Sequence, residues 1–125
     1  MREIKFRGLR VLDHLKKKND GVWVYGYLYE SVDGSMCIDQ WKIDPETVGQ
    51  YTGLEGKNGV EIYGGDIVTN GTNNFKVIWA KRFGGWGIVD PRTVKKVVHL
   101  LATSVSYQEV IGNIHDNPEL MKGNE

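Results

Sequence analysis

Apolar and charged residues alternate with a period of two at the start of the chain, in "REIKFRGLRV". Ile4 and Phe6 alternate there with charged residues, as in a β-strand with one face toward a core. After Gly8 the apolar positions change parity, to Leu9 and Val11. An extra residue in one strand of a pair would cause such a change, so the pattern predicts a strand with a bulge or bend at Gly8.

A second alternating segment is "VWVYGYLYE", residues 22–30, with aliphatic residues on one face and mostly aromatic residues on the other. Asp20-Gly21 before it and Asp33-Gly34 after it are hairpin turn signals. The short strand pattern "MCIDQW" follows. Residues 1–43 therefore predict an antiparallel β-meander.

The second part of the chain shows short strand patterns separated by turns. The segment "DPETVG" first predicts one helical turn, capped by Asp44 with Pro45 at its first position. The strand patterns "VEIYG", "DIVTN", "FKVIWA" and "WGIV" follow, broken at Gly64-Gly65, "NGTNN" and "RFGG". Such strands are typical of a small β-barrel. We predict two subdomains of one compact unit, a meander over residues 1–46 and a small barrel over residues 47–125.

The period changes in "PRTVKKVVHLLATSV", where apolar residues recur at spacings of three and four. This spacing predicts a short helix near residues 93–104. A strand is the alternative, because the segment is rich in β-branched valines. The strand pattern returns in "QEVIGNI". The fold class predicted for the whole chain is mainly β.

Composition narrows the classes of protein that fit this pattern. The 16 glycines in 125 residues are roughly twice the usual share, which agrees with many turns. The 16 basic and 16 acidic side chains balance, which argues against a broad basic surface for duplex nucleic acid. Cys37 is the only cysteine, so no intrachain disulfide can form. No apolar run suits a signal peptide or a membrane span, and we expect a cytoplasmic protein with no membrane partner.

Residues 47–68 contain six glycines, which suit either a phosphate-binding loop or a series of tight turns. With Gly56-Lys57 as its central pair, a Walker-type loop needs glycine at position 51 and a hydroxyl residue at position 58. Tyr51 and Asn58 occupy those positions. The turn interpretation is favoured, since Asn58-Gly59 suits a type I′ turn. We therefore expect no bound cofactor.

Several segments together resemble the YopX family of small proteins encoded by phages and prophages of bacteria. The segments are "REIKFRG", "IDPETVGQYTGLEGKNGVEIYGGDIV", "VI" followed by "FGGWG", and "EVIGNIHDNPELM". The resemblance implies a mostly β protein whose C-terminal part is an SH3-like barrel. It also implies a location in the bacterial host cell, and it implies no established activity.

Residues suited to catalysis or metal binding are scattered along the chain. His14, His99 and His115 are far apart, and none has the short spacing of metal ligands. Cys37 lies in an apolar strand pattern, where a buried packing thiol is the common outcome. The nucleophile motif G-x-S-x-G is absent. We predict no catalytic or metal-binding residue, and a hydrolase or transferase stays an alternative only through residues that converge in the fold.

The aromatic face of residues 22–30 is the first candidate contact surface. Its members are Trp23, Tyr25, Tyr27 and Tyr29. If exposed, these rings could stack on bases or anchor a protein partner, because they offer large rigid contact areas. The alternative, which we favour, is that a second sheet or a neighbouring subunit covers them. A subunit contact would make the protein a homo-oligomer.

The second candidate is "WAKRFGGWG", residues 79–87, where Lys81 and Arg82 lie between two tryptophans, the second being Trp86. Basic residues among aromatic residues suit single-stranded nucleic acid. The alternative, favoured because the chain has no net charge, is a hairpin turn with solvated charges and tryptophans in the core. The predicted partner contacts of both segments are Trp23, Tyr25, Tyr27, Lys81, Arg82 and Trp86.

These observations favour a non-enzymatic accessory protein that binds a protein or a nucleic acid. A homo-oligomeric structural protein is the alternative. Small β-barrels host many unrelated functions, so fold class alone does not choose between them.

Overall fold

The computed structural model describes residues 4–91 and 97–122. Over these residues the chain is mainly β, with antiparallel sheets and one short α-helix, which confirms the predicted class. It divides into two compact units, Met1–Tyr51 and Thr52–Glu125, and the division falls inside the strand β6 (Gly49–Glu55). The predicted subdomains, 1–46 and 47–125, stay a prediction.

The described residues of the first unit form five complete strands in two antiparallel groups. They are β1 (Phe6–Leu9), β2 (Trp23–Gly26), β3 (Leu28–Glu30), β4 (Met36–Ile38) and β5 (Trp41–Lys42). β1 pairs with β2 on one side and with the start of β6 on the other. β3, β4 and β5 form a separate three-stranded meander.

The predicted continuous strand over residues 22–30 is broken at Gly26. This residue has a φ angle of 151°, which residues with a side chain rarely adopt. Beyond it the chain leaves β1 and pairs with β4, starting with Leu28 opposite Ile38. The predicted antiparallel strands are therefore present, but they belong to two sheets rather than to one meander.

Gly8 lies in an unbroken part of β1. The register with β2 runs from Phe6 to Leu9 without a shift, so the predicted bulge is absent. Gly8 is instead the point where Ile43 packs closely onto the strand, since a Cβ at Gly8 would lie 2.7 Å from Ile43 Cδ1. The change of parity reflects the burial of three consecutive residues, Arg7 to Leu9.

The predicted capped turn is confirmed. Pro45–Thr47 form a 3-10 turn, and the Asp44 carboxylate accepts a hydrogen bond from the backbone N–H of Glu46 at 3.1 Å. The Thr47 hydroxyl donates to the Asp44 carbonyl and accepts from the backbone N–H of Leu9 at 2.8 Å. The turn is thereby fastened to β1.

The second unit is built on an antiparallel sheet. Its described strands are the end of β6, β7 (Glu61–Tyr63), β8 (Asp66–Thr69), β9 (Asn74–Ala80), β10 (Gly85–Val89), β11 (Val97–Leu100) and β12 (Glu109–Asn113). β7 is the neighbour of β6, and the other strands form one sheet in the order β11-β10-β9-β8-β12. Pairing among the described residues leaves β11 and β12 at opposite edges. Over the described residues this pairing forms no closed barrel, whereas the family resemblance implied an SH3-like barrel.

The core of the second unit follows the predicted period of two. Phe75 lies opposite Val68, and Val77 lies opposite Ile88, in cross-strand pairs whose members are all buried. The same cluster contains Ile62 and Leu101. Four partly buried residues pack against it, namely Leu54, Trp86, Val105 and Val110.

Both alternatives for residues 93–104 occur, one after the other. Val97–Leu100 form β11 and pair with β10, and Leu101–Ser104 form the single helical turn α1. Residues 93–96 lie outside the described residues. Leu101 is buried in the core, whereas His99 is exposed. The apolar spacing of three and four thus reflects a strand followed by one helical turn.

Residues 47–68 form strands joined by turns, as the turn interpretation predicted. The turn at Asn58-Gly59 is not of the predicted type I′, because Gly59 has a positive φ and Asn58 does not. Gly59 and Gly65 have φ angles of 75° and 92°, which suit glycine. A Cβ at Gly56 would lie 2.7 Å from the backbone oxygen of Gln108. The segment leads into β7 rather than into a helix, so it lacks the helix N-terminus that would bind a phosphate.

Candidate functional site

The predicted contact residues belong to two candidate surfaces. Those of the first unit are Trp23, Tyr25 and Tyr27. Those of the second unit are Lys81, Arg82 and Trp86.

The surface of the second unit is the tip of the β9–β10 hairpin. β9 ends at Ala80, a 3-10 turn covers Lys81–Phe83, and β10 begins at Gly85. Gly84 closes the turn with a φ angle of 62°, and its N–H donates to the Lys81 carbonyl at 3.2 Å. Glycine adopts a positive φ at little cost, so "RFGG" favours this tight turn. All three side chains of the turn are exposed.

A pair of tryptophans lies at the base of this tip. Trp79 and Trp86 are direct cross-strand partners, with ring centroids 5.3 Å apart and an interplanar angle of 78°. An edge-to-face contact of this kind contributes about 0.5–1.5 kcal/mol beyond the area it buries. Trp86 packs against the core cluster, whereas Trp79 is 51% exposed. Trp86 thus holds Trp79 in place and leaves much of that residue open to solvent.

The tip also carries two cations and a further aromatic ring. Lys81 and Arg82 are exposed, and the Arg82 guanidinium lies 5.7 Å from the ring centroid of Phe83, which is 57% exposed. This distance is within the range of a cation–π contact. Neither cation forms an ion pair with any residue that the structure describes. No Asp or Glu occurs between residues 67 and 89, so no acidic side chain of the hairpin offsets this positive charge.

Three basic residues of the first unit form ion pairs with carboxylates, unlike the two cations of the hairpin tip. Their ion pairs are Arg10–Asp20, Lys18–Glu46 and Lys42–Asp13. The hydrogen bond from Arg10 holds the pKa of the Asp20 carboxyl below its usual value. A phosphate would have to displace the carboxylate from such a pair, whereas no such displacement is needed at the hairpin tip.

The surface of the first unit is formed by tyrosines on and after β2. Tyr25 is 52% exposed, and Tyr27, which follows the break at Gly26, is 77% exposed. Trp23 is partly buried, and the Arg7 guanidinium lies 4.7 Å from its ring centroid. Within the described part of the chain no second sheet covers Tyr25 and Tyr27, and cover by a neighbouring subunit stays a prediction.

Two aromatic residues of the hairpin tip, Trp79 and Phe83, are not among the predicted contacts. The alternation in "FKVIWA" places Trp79 on the same face as Phe75 and Val77, which are core residues, so the pattern predicts burial. Trp79 is nevertheless 51% exposed, although the next residue, Ala80, is buried, and alternation alone does not show where the core on the Trp79 face stops. One feature of the sequence did indicate that Trp79 is exposed: it is the last ring on that face before a glycine-containing turn.

Side chains suited to metal binding do not gather in the described part of the chain. Within residues 4–91 and 97–122, no group of three His, Cys, Asp or Glu residues could hold a metal ion. Cys37 is buried in β4, and its Sγ lies 3.7 Å from the carbonyl oxygen of Ser35, as expected of a packing thiol. Over the same residues, no helix has the length and apolar character needed to cross a membrane.

Comparisons with known proteins identify a family and a similar fold. The family model described as YopX protein matches residues 9–122. The chain is similar to the crystal structure of protein EF1440 from Enterococcus faecalis, with a TM-score of 0.54 and 21% sequence identity, over 98% of this chain and 100% of that chain. At this identity the similarity shows the fold alone. No curated protein sequence matches the chain.

Proposed function

Because the chain belongs to the YopX family, whose model matches residues 9–122, and carries an exposed aromatic and cationic hairpin, we propose that it is a non-enzymatic binding module. On this proposal it is an accessory protein of phages or prophages that works in the cytoplasm of the bacterial host by binding a protein or a nucleic acid. The proposed contact surface consists of Trp79, Lys81, Arg82, Phe83 and Trp86.

The observation that carries the proposal is the exposure of rings beside cations at the hairpin tip. Trp79 and Phe83 are each more than half exposed, next to the exposed side chains of Lys81 and Arg82. Exposed aromatic clusters of this kind are typical of contact sites. The tight turn and the contact with Trp86 restrain the tip, so little conformational entropy is lost when it binds.

The chemistry of the tip suits binding better than catalysis. No carboxylate, imidazole or thiol occurs between residues 67 and 89, so the hairpin supplies Lys81 and Arg82 with no partner for proton exchange near neutral pH. The tip can therefore hold and orient an anionic or aromatic ligand.

Retention of a partner from bacterial lysate tests the proposal. Immobilised wild-type protein and a Trp79→Ala/Phe83→Ala variant would be compared, with retained protein and retained nucleic acid measured separately. We expect the variant to lose a species that the wild type retains. Tyr107→Ala is the matched control, because Tyr107 is a 49% exposed ring in the same unit, and it should retain that species. Equal retention by the wild type and the tip variant would contradict the proposal.

A homo-oligomeric structural protein is the second candidate, favoured by the exposed Tyr25 and Tyr27. Among the described strands, β2 lies at the edge of its sheet, beside β1. An edge strand offers backbone groups that the same strand of a second copy can pair with. Light scattering over a range of concentrations tests this candidate. A dimer that weakens in Tyr25→Ala/Tyr27→Ala supports it, and a monomer at every concentration excludes it.

A further inference from the structure

The tip of the β9–β10 hairpin combines the two kinds of group that a single nucleic-acid strand requires of a partner. We propose that this tip binds single-stranded nucleic acid, a proposal that rests on the binding function above. Bases stack on Trp79 and Phe83, and the adjoining phosphates contact Lys81 and Arg82.

The rings supply a stacking surface that is already held in place. Trp79 and Phe83 are both more than half exposed, and Trp79 rests edge-to-face against Trp86, which is anchored on the core. Bases in a single strand have π faces free to stack on such rings. In a duplex the same faces are already stacked on neighbouring bases. The ring surface therefore selects single strands.

The cations complement a phosphate backbone. Lys81 and Arg82 follow one another in the turn, both are exposed, and neither is paired with a carboxylate among the described residues. The absence of Asp and Glu from residues 67–89 removes the acidic side chains of the hairpin that would repel phosphates. Lys81, Arg82 and Phe83 are consecutive in the turn, and Trp79 lies two residues before Lys81 at the end of β9, so rings and cations alternate over a short length of chain.

The small number of cations at the tip favours a single strand over a duplex as the partner. The chain has no net charge, and the turn presents only Lys81 and Arg82. Binding to duplex nucleic acid without sequence preference depends on many phosphate contacts, which two cations do not supply. A single strand needs fewer such contacts, because stacking contributes much of its affinity.

Fluorescence anisotropy with a labelled single-stranded thymidine oligonucleotide of about ten nucleotides tests the stacking contacts at low salt. The wild type is expected to bind this strand and to bind a duplex of the same length more weakly, because stacking contributes only to the single strand. Trp79→Ala and Phe83→Ala should each weaken binding by about 5- to 150-fold, the range for the loss of one stacked base. The control Tyr107→Ala should leave the affinity unchanged.

The salt dependence of binding tests the phosphate contacts with variants that leave the rings intact. Two contacts on a single strand predict a slope of about −1.4 for log affinity against log salt, which is a loss of roughly sevenfold between 50 and 200 mM salt. Arg82→Gln removes one contact and should reduce the slope to about −0.7. Lys57→Gln is the charge-matched control, because Lys57 is an exposed lysine of the same unit outside the hairpin.

Three outcomes overturn the proposal: no binding of the oligonucleotide at low salt, equally strong binding of the duplex, or an unchanged slope in folded Arg82→Gln. If one of these outcomes is found, the lysate experiment still tests separately whether the tip has a binding function of another kind. If retained protein still depends on Trp79 and Phe83, the binding function stands with a protein partner. If no retained species depends on the tip, the binding function fails as well.

Discussion

Replacement of Gly8 by alanine tests how closely the first unit is packed. A Cβ on Gly8 would lie 2.7 Å from Ile43 Cδ1 and 3.2 Å from Ile43 Cβ. Carbon atoms in favourable contact are about 3.5–4.0 Å apart. Ile43 is buried, its backbone pairs with Arg10, and its N–H donates to the Met36 carbonyl at 2.9 Å. Ile43 therefore cannot retreat without disturbing its surroundings.

Two opposing effects set the size of the expected change. Alanine restricts the unfolded chain more than glycine does, which stabilises the folded state by about 0.4–1 kcal/mol where the backbone conformation suits alanine. Gly8 does not have a positive φ, so this gain applies. Insertion of a methyl group into a packed site costs about 1–3 kcal/mol, and a contact of 2.7 Å with a held side chain favours the upper part of that range. We expect Gly8→Ala to lower the free energy of unfolding by about 1–2 kcal/mol.

Urea denaturation of the wild type and four variants measures this change and its cause. Ile43→Val removes the Cδ1 atom that the new methyl group would meet, and by itself it should cost about 0.5–1.5 kcal/mol. In Gly8→Ala/Ile43→Val the closest contact, with Cδ1, is gone and only the milder one at 3.2 Å with Cβ remains, so the loss should be smaller than the sum of the single losses by about 1 kcal/mol. Gly85→Ala is the control strand glycine, because nothing lies within 4 Å of a Cβ at that position.

Two results would refute this reasoning. Strictly additive losses in the double variant would show that Gly8 and Ile43 do not meet as closely as the structure indicates. A loss in Gly85→Ala as large as that in Gly8→Ala would show that the backbone of these strands disfavours alanine, and that packing is not the cause.

The remaining predictions concern the Ser31–Ser35 turn and the hairpin tryptophans. Hydrogen bonds from the Ser31 hydroxyl and the Ser35 backbone N–H lower the pKa of Asp33 to about 2. Because this folded value lies below the ordinary 3.8, the contribution of Asp33 to stability is present above about pH 4 and is lost as the pH falls toward 2. Carboxyl NMR should show a midpoint near 2 that rises in Ser31→Ala, and a native midpoint near 3.8 would contradict the turn geometry. Trp86→Ala should lower the free energy of unfolding by about 2–3 kcal/mol, and Trp79→Ala by about 1 kcal/mol or less. The reason is that only Trp86 packs against the core cluster. Equal losses for the two variants in urea denaturation would contradict this difference.

Features of the fold that depend on local chemistry could be predicted from the sequence. Asp44 and Pro45 form the capped turn, because the capping hydrogen bond involves residues only two positions apart. Asn58-Gly59 forms a turn for the same kind of reason, since Gly59 has a positive φ. The alternation of Phe75 and Val77 correctly indicated the core face of β9.

Features that depend on distant partners could not be predicted in this way. The role of Gly8 is set by Ile43, which lies 35 positions later in the chain. The break at Gly26 is visible only once β3 is seen to pair with β4 instead of continuing along β1. A period of two reports that residues alternate between faces, and it does not report which strand lies alongside.

The residues of the candidate site also divide into those whose exposure could be predicted from the sequence and those whose exposure could not. The exposure of Lys81 and Arg82 was predictable, because charged residues in a glycine-containing turn are exposed in almost any fold. The exposure of Trp79 was not, because it depends on where the core beneath β9 ends. We expected a second sheet or a neighbouring subunit to cover Tyr25 and Tyr27; no second sheet covers them in the described chain, where both are exposed.

The pairing of β8 with β12 joins the first and last strands of the five-stranded sheet. During synthesis β8 leaves the ribosome long before Glu109–Asn113, so the sheet cannot be completed until nearly the whole chain is available. Until then β8 has an uncovered edge, which is a template for pairing with strands of other chains. β12 covers this edge and becomes the edge of the sheet in its place, and the register shift in β12 between Val110 and Gly112 makes it a poorer template for pairing than β8. A chain that stops before Glu109 would leave β8 uncovered.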